Sequence, residues 1–145
     1  MIGYFDTSAV LPLVVAEPGS PVCARLWLAC DRRASSLLVV AEAAAALAQA
    51  RRLGRLTEAE HVGAAALLDR RLEELDLLWP TRELVDEAAG LAVAHGLRGY
   101  DAVHTASALA LKADGLVAVS GDQALLGAWV ELGLDTADPN ALPMG

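Results

Sequence analysis

Short apolar runs alternate along this chain with longer segments in which apolar residues recur every three or four positions. "IGYF" (2–5), "ASSLLV" (34–39), "DLLWP" (76–80), "LVAVS" (116–120) and "LDTA" (134–137) read as strands. "SAVLPLVVAE" reads as a helical turn or short helix interrupted at Pro12. Residues 20–32 predict a helix with Ser20 as N-cap and Pro21 in its first turn. Residues 41–54 predict another, closed by Gly54. Thr57 and Glu60, three apart, have the spacing of a capping box and open a helix over 57–75. Further helices are expected over 81–96, 100–115 and 122–133.

Continuous apolar strands separated by helices imply a parallel sheet covered on both faces. The expected fold is therefore α/β: a three-layer α/β/α arrangement around a mainly parallel twisted sheet. At 145 residues the chain is read as one domain spanning 1–145. Aromatic residues make up only 4% of the chain, so the core should be aliphatic, built from the Ala and Leu that dominate the 55% apolar fraction. Trp27, Trp79 and Trp129 lie among apolar neighbours and read as core or interface.

Composition excludes several classes. The most apolar windows are too short to span a bilayer or carry Glu42 inside them. Met1 to Phe5 holds no Lys or Arg, unlike a secretion leader, so a cytoplasmic protein without a membrane segment is expected. Cys23 and Cys30 sit about 10 Å apart along a helix at 1.5 Å per residue, too far to bridge, and read as packing thiols. No Cys/His spacing suits zinc. The net charge of -8 argues against a simple basic nucleic-acid binder. It leaves room for an enzyme that holds nucleic acid through a metal and local arginines.

In parallel α/β sheets ligands bind beyond the carboxyl ends of the strands. That rule sorts the nineteen acids. Asp6 follows the first strand, Glu42 begins the helix after the second, Asp101 opens a helix behind Gly99 and Tyr100, and Asp122 follows "VAVSG". Alone, Asp6 could form an Asx-turn, and Asp101 and Asp122 could be ordinary N-caps. Glu42, between "LLVVA" and "AAAALA", has little polar surface nearby. Four carboxylates converging on one rim would repel and need a divalent cation, and oxygen ligands point to Mg²⁺ or Mn²⁺.

The segments "YFDTSAVLPLV", "SSLLVVAEAAAALAQARRLGRL", "GLRGYDAVHTASALALK" and "VAVSGDQALL" resemble, in order, the motifs of PIN-domain ribonucleases, and most closely VapC-type toxins of bacterial toxin–antitoxin modules. The resemblance covers nearly the whole chain. It implies a catalytic, metal-binding set of Asp6, Glu42, Asp101 and Asp122, supported by Ser8 and Ser120. It also implies hydrolysis of RNA phosphodiester bonds with Mg²⁺, an antitoxin partner whose basic segment meets the acidic site, and a homodimer.

Arg98, close to Asp101 in sequence, and His104, three residues after it on roughly the same helix face, are candidate substrate contacts. His104 could instead be a packed, hydrogen-bonded residue at the edge of the site. His61 and His95 read as helix-surface residues. Two competing readings stand beside the nuclease. One is a non-catalytic acidic module acting through a partner. The other is an aspartyl phosphoryl-transfer domain. The latter fits poorly, because Ser8 occupies the position where a dehalogenase-type phosphatase carries a second Asp, and because Lys112, the sole lysine, lies within a predicted helix.

Overall fold

The computed structural model describes residues 1–113 and 115–141. Five strands, β1 (Ile2–Phe5), β2 (Arg32–Ser36), β3 (Asp76–Leu78), β4 (Leu116–Val119) and β5 (Asp135–Ala137), form one sheet in the order β3-β2-β1-β4-β5, every neighbouring pair parallel. Seven α-helices connect them: α1 (Thr7–Val10), α2 (Ser20–Ala29), α3 (Val39–Arg52), α4 (Glu58–Glu73), α5 (Arg82–His95), α6 (Gly99–Ala110) and α7 (Gln123–Glu131). The fold is thus three-layer α/β/α. Among the described residues no helix is long and apolar enough to cross a membrane.

Strand alternation divides the core. Phe5 and Val119, paired in register, face one layer with Trp27 of α2, Ala43 and Leu47 of α3 and Leu68 of α4. Tyr4 and Ala118, one residue back, face the other with Ala108 of α6 and Leu125 and Trp129 of α7. Small residues let α5 approach α6 through Ala88, Ala102 and Ala106. Gly3 is obligatory for packing: a Cβ there would meet Cys30 Sγ at 2.6 Å and the Phe5 ring at 2.7 Å. Cys23 and Cys30 are buried free thiols.

Helix boundaries follow local chemistry. Thr57 and Glu60 form the expected capping box, and Thr81 accepts a bond from Leu84 N at the start of α5. Gly96 ends α5 with a φ of 64°, a conformation that strains most other residues.

Several expectations shift. β2 starts two residues before the expected 34–39 and ends at Ser36, because the arginines that open it find partners on neighbouring elements. Arg32 pairs with Asp76 of β3 and Arg33 stacks over Trp27 at 5.0 Å. Leu37 and Leu38 form the turn, and α3 starts at Val39 rather than at residue 41. Gly19, not Ser20, caps α2. Ser20 Oγ instead donates to Val15 O and accepts from Glu17 N, stabilising the preceding turn. The helix expected over 100–115 ends at Ala110, and Asp114 lies outside the described residues. Trp27 and Trp129 are core, but Trp79 is 73% exposed, because β3 is a three-residue edge strand and ends before it.

β1 is central, and the chain runs from it to β2 and β3 on one side before returning to β4 and β5 on the other. The carboxyl ends of β1 and β4 therefore flank the point where strand order reverses, the usual place for a ligand crevice.

Candidate active site

Asp6 leaves β1 at this crevice. Its backbone N–H still bonds Val119 O of β4, while its side chain caps α1. Oδ1 accepts from Ser8 Oγ at 2.7 Å and Ala9 N at 3.1 Å, and Oδ2 accepts from Ser120 Oγ at 2.9 Å. The serines are themselves anchored: Ser8 Oγ accepts from Gly121 N and Ser120 Oγ from Asp122 N. Asp6 is only 5% exposed. Burial pushes its carboxyl up to about 6, against the pull of Ser8, His104, Ser120 and the Ala9 N–H.

Glu42 comes from the first turn of α3. Its Oε1 accepts from Thr7 Oγ1 at 2.9 Å and meets His104 Nε2 at 2.7 Å. Partial burial works to raise its pKa. The His104 hydrogen bond and charge, with Thr7 and Arg98, outweigh that and hold the carboxyl below its usual range. His104 is 2% exposed, and its Nδ1 lies 2.7 Å from the Tyr4 hydroxyl. It reaches Glu42 rather than Asp101, as a packed residue behind the site.

Asp101 and Asp122 form the outer rim, each at the start of a helix, where the N-terminal dipole favours negative charge. Asp122 also caps α7 by accepting from Leu125 N. Arg98 spans the two: Nε donates to Asp101 Oδ2 at 3.1 Å, and Nη2 lies 3.9 Å from Asp122 Oδ2. The guanidinium is 74% exposed.

Asp6, Thr7, Ser8, Glu42, Arg98, Asp101, His104 and Asp122 line one cleft of about 220 Å³, with Ser120 behind Asp6. A larger cavity of about 480 Å³ opens at the other end of the sheet beside Lys112 and Asp135, but it gathers no comparable set of acids. Chemistry, not size, marks the site. Four carboxylates offer only oxygen donors, which suits a hard divalent cation. Among the described residues no three His, Cys, Asp or Glu side chains already stand close enough to hold one ion. Each acid is instead satisfied by a hydroxyl, an amide, the imidazole or Arg98. The donor set therefore fits Mg²⁺ or Mn²⁺ in kind, and such an ion would take over charge that Arg98 now balances.

A parallel sheet in this strand order, with carboxylates gathered where β1 and β4 end, defines the class. The chain belongs to the PIN-domain family, whose family model, described as PIN domain, matches residues 3–126. Among VapC ribonucleases it is similar to Ribonuclease VapC45 of Mycobacterium tuberculosis, with 44% identity over 128 residues, 84% of this chain and 85% of that protein. It is also similar to the crystal structure of PAE2754 from Pyrobaculum aerophilum, with a TM-score of 0.64 at 28% identity over 88% of this chain and 87% of that one. The VapBC-1 structure from nontypeable Haemophilus influenzae matches with a TM-score of 0.62 at 16% identity, over 97% of this chain and 100% of that one, a likeness of fold.

Two residues of the site escaped the strand-end rule. Thr7 was visible as a hydroxyl beside Asp6, but nothing local said that it would reach Glu42. Tyr4 precedes Asp6 by two and so shares its face of β1, which is a signal that alternation could have supplied.

Proposed function

We propose that this chain is a metal-dependent endoribonuclease that hydrolyses RNA phosphodiester bonds, acting as the toxin of a toxin–antitoxin pair. The observation that carries the reading is the convergence of Asp6, Glu42, Asp101 and Asp122 on one cleft at the switch point of a PIN fold. Mg²⁺ or Mn²⁺ held by these carboxylates would supply charge neutralisation at the phosphodiester and a lowered pKa for the attacking water. Asp6, fixed by two serine hydroxyls and an amide, is the rigid member of the set. Asp101 and Asp122 are the accessible members. Arg98, exposed at the mouth, is placed to contact a phosphate once it leaves the carboxylates. His104 supports Glu42 and makes a poor RNA contact, because it is buried.

The relatives named as ribonucleases support RNA as substrate. A cognate antitoxin and a second copy of this chain are the proposed partners, both on the family resemblance. A net charge of -8 suits a basic antitoxin segment in the cleft.

One observation favours a second reading, a non-catalytic acidic module: Arg98 already neutralises Asp101 and Asp122, and among the described residues no three acids are poised around one ion. The phosphoryl-transfer alternative gains nothing, since Lys112 Nζ bonds Leu132 O near the opposite end of the sheet. Incubating total RNA with the protein in Mg²⁺, with and without EDTA, separates the two live readings. Cleavage is expected for the wild type, and none with EDTA or in Asp6→Asn and Asp101→Asn. Cleavage that survives all three would sink the metal-nuclease reading. No cleavage of any RNA would favour the binding module.

A further inference from the structure

Glu42 differs from the other three acids in having a buried chain of hydrogen bonds behind it. Tyr4 is fully buried and His104 nearly so. An ionised Glu42 can only accept, so His104 Nε2 donates to it, and Nδ1 on the other side of the ring pairs with the Tyr4 hydroxyl at 2.7 Å. The rings are fixed by packing as well. Tyr4 meets His104 edge-on at 6.0 Å between centroids and Trp129 at 6.0 Å. Thr7 bonds the same Glu42 oxygen, Oε1. Among the described residues no donor bonds Oε2.

We propose that Tyr4 and His104 are positioning residues that hold Oε1 of Glu42 inward and leave Oε2 as the oxygen presented to a divalent cation. The proposal rests on the metal-dependent reading above. His104 also stands one turn from Asp101 on α6, so its bond ties Glu42 of α3 to the helix that carries Asp101. The strut sets how far apart those two acids lie across the cleft. A glutamate left free would have to surrender its side-chain freedom on binding an ion, and this one has already done so. Loss of such outer partners of metal ligands typically costs about 10- to 100-fold in metal affinity.

The test is Mn²⁺ binding by titration calorimetry on the whole chain without RNA, with folding followed by thermal melting in EDTA. A glutamine amide at position 104 reaches roughly where Nε2 stands and still donates to Glu42. An asparagine amide stops near Nδ1 and does not. Both remove the ring, so a purely structural role would affect them alike. His104→Asn is expected to weaken Mn²⁺ about tenfold or more, and His104→Gln, which keeps the Glu42 bond but loses the Tyr4 contact, by about three- to tenfold. Tyr4→Phe, which deletes one oxygen from a filled core, should weaken it about three- to tenfold. Equal affinities for His104→Asn and His104→Gln, or wild-type affinity in Tyr4→Phe, would overturn the proposal. So would wild-type affinity in Glu42→Gln where Asp101→Asn binds no Mn²⁺, and that outcome leaves the metal reading standing. Absence of Mn²⁺ binding by the wild type would overturn the metal reading itself.

Discussion

The two walls of the cleft are built on different principles. At the inner wall Asp6 is buried, accepts three hydrogen bonds and is pushed up to about 6 by burial. At the outer wall Asp101 and Asp122 keep 20% and 32% of their side-chain surface and share an arginine that is itself mostly in water. The inner acid is preorganised at a cost to folding. The outer acids are inexpensive to fold and free to change partners. A site that must be rigid at the reacting atoms yet open to a long substrate is served by that division.

The largest effect that would break this contrast comes from replacing the acids themselves. Asp6→Asn and Asp101→Asn should each lower RNA cleavage by more than the roughly 100-fold that an outer partner is worth. Their stabilities should diverge. Asp6 has a pKa near 6 in the folded protein against 3.8 unfolded, so the folded state binds more protons between these values. Wild-type stability in EDTA should therefore fall as pH rises from about 4 to about 6 and then level off. A shift of that size corresponds to roughly 2–3 kcal/mol. Asp6→Asn removes the charge and should melt higher than wild type at pH 7, without that slope, whereas Asp101→Asn should melt as wild type does. Denaturant titrations from pH 4 to 8 decide it, and equal stabilities for the two variants would erase the distinction between the walls.

A smaller effect sharpens it. Ser120→Ala removes the proton donated to Asp6 Oδ2 and the acceptor of Asp122 N, at a fully buried position. It should destabilise the protein by about 1–3 kcal/mol and raise the Asp6 pKa further, because a bond to the charged form is lost. Carbon-detected titration of the aspartate carboxyls in EDTA would register the rise.

The smallest effect belongs to Arg98. Arg98→Gln breaks an exposed ion pair, so thermal melting should not move measurably. RNA binding measured against salt should lose about one unit of slope if the side chain engages one phosphate. An unchanged slope would assign Arg98 to the acids alone.

Much of the site was legible because it is written locally. Asp6, Glu42, Asp101 and Asp122 each sit just past a strand or in the first turn of a helix, and those boundaries follow from nearby apolar runs and caps. Arg98 is legible for the same reason, as a near neighbour of Asp101, whereas Ser8 is legible only through the family resemblance. The β2 boundary differs because Arg32 reads as the end of the helix over 20–32, and Arg33 as the link after it, until Asp76 and Trp27 are known to lie beside them. His104 was placed on the helix face of Asp101, but its partner comes from 62 positions away.

Local sequence alone dictates the alternation of strands and helices, the capping box of Thr57 and Glu60, and the order in which four carboxylates reach strand ends. Propensity, capping and period act over a few residues, so they survive without a fold. Only the tertiary structure decided that β1 and β4 lie side by side, that Ser120 closes on Asp6 across 114 positions, and that Tyr4 reaches Glu42 through His104. Those contacts depend on strand register and on which core face each helix buries, and both are settled by packing the whole chain at once.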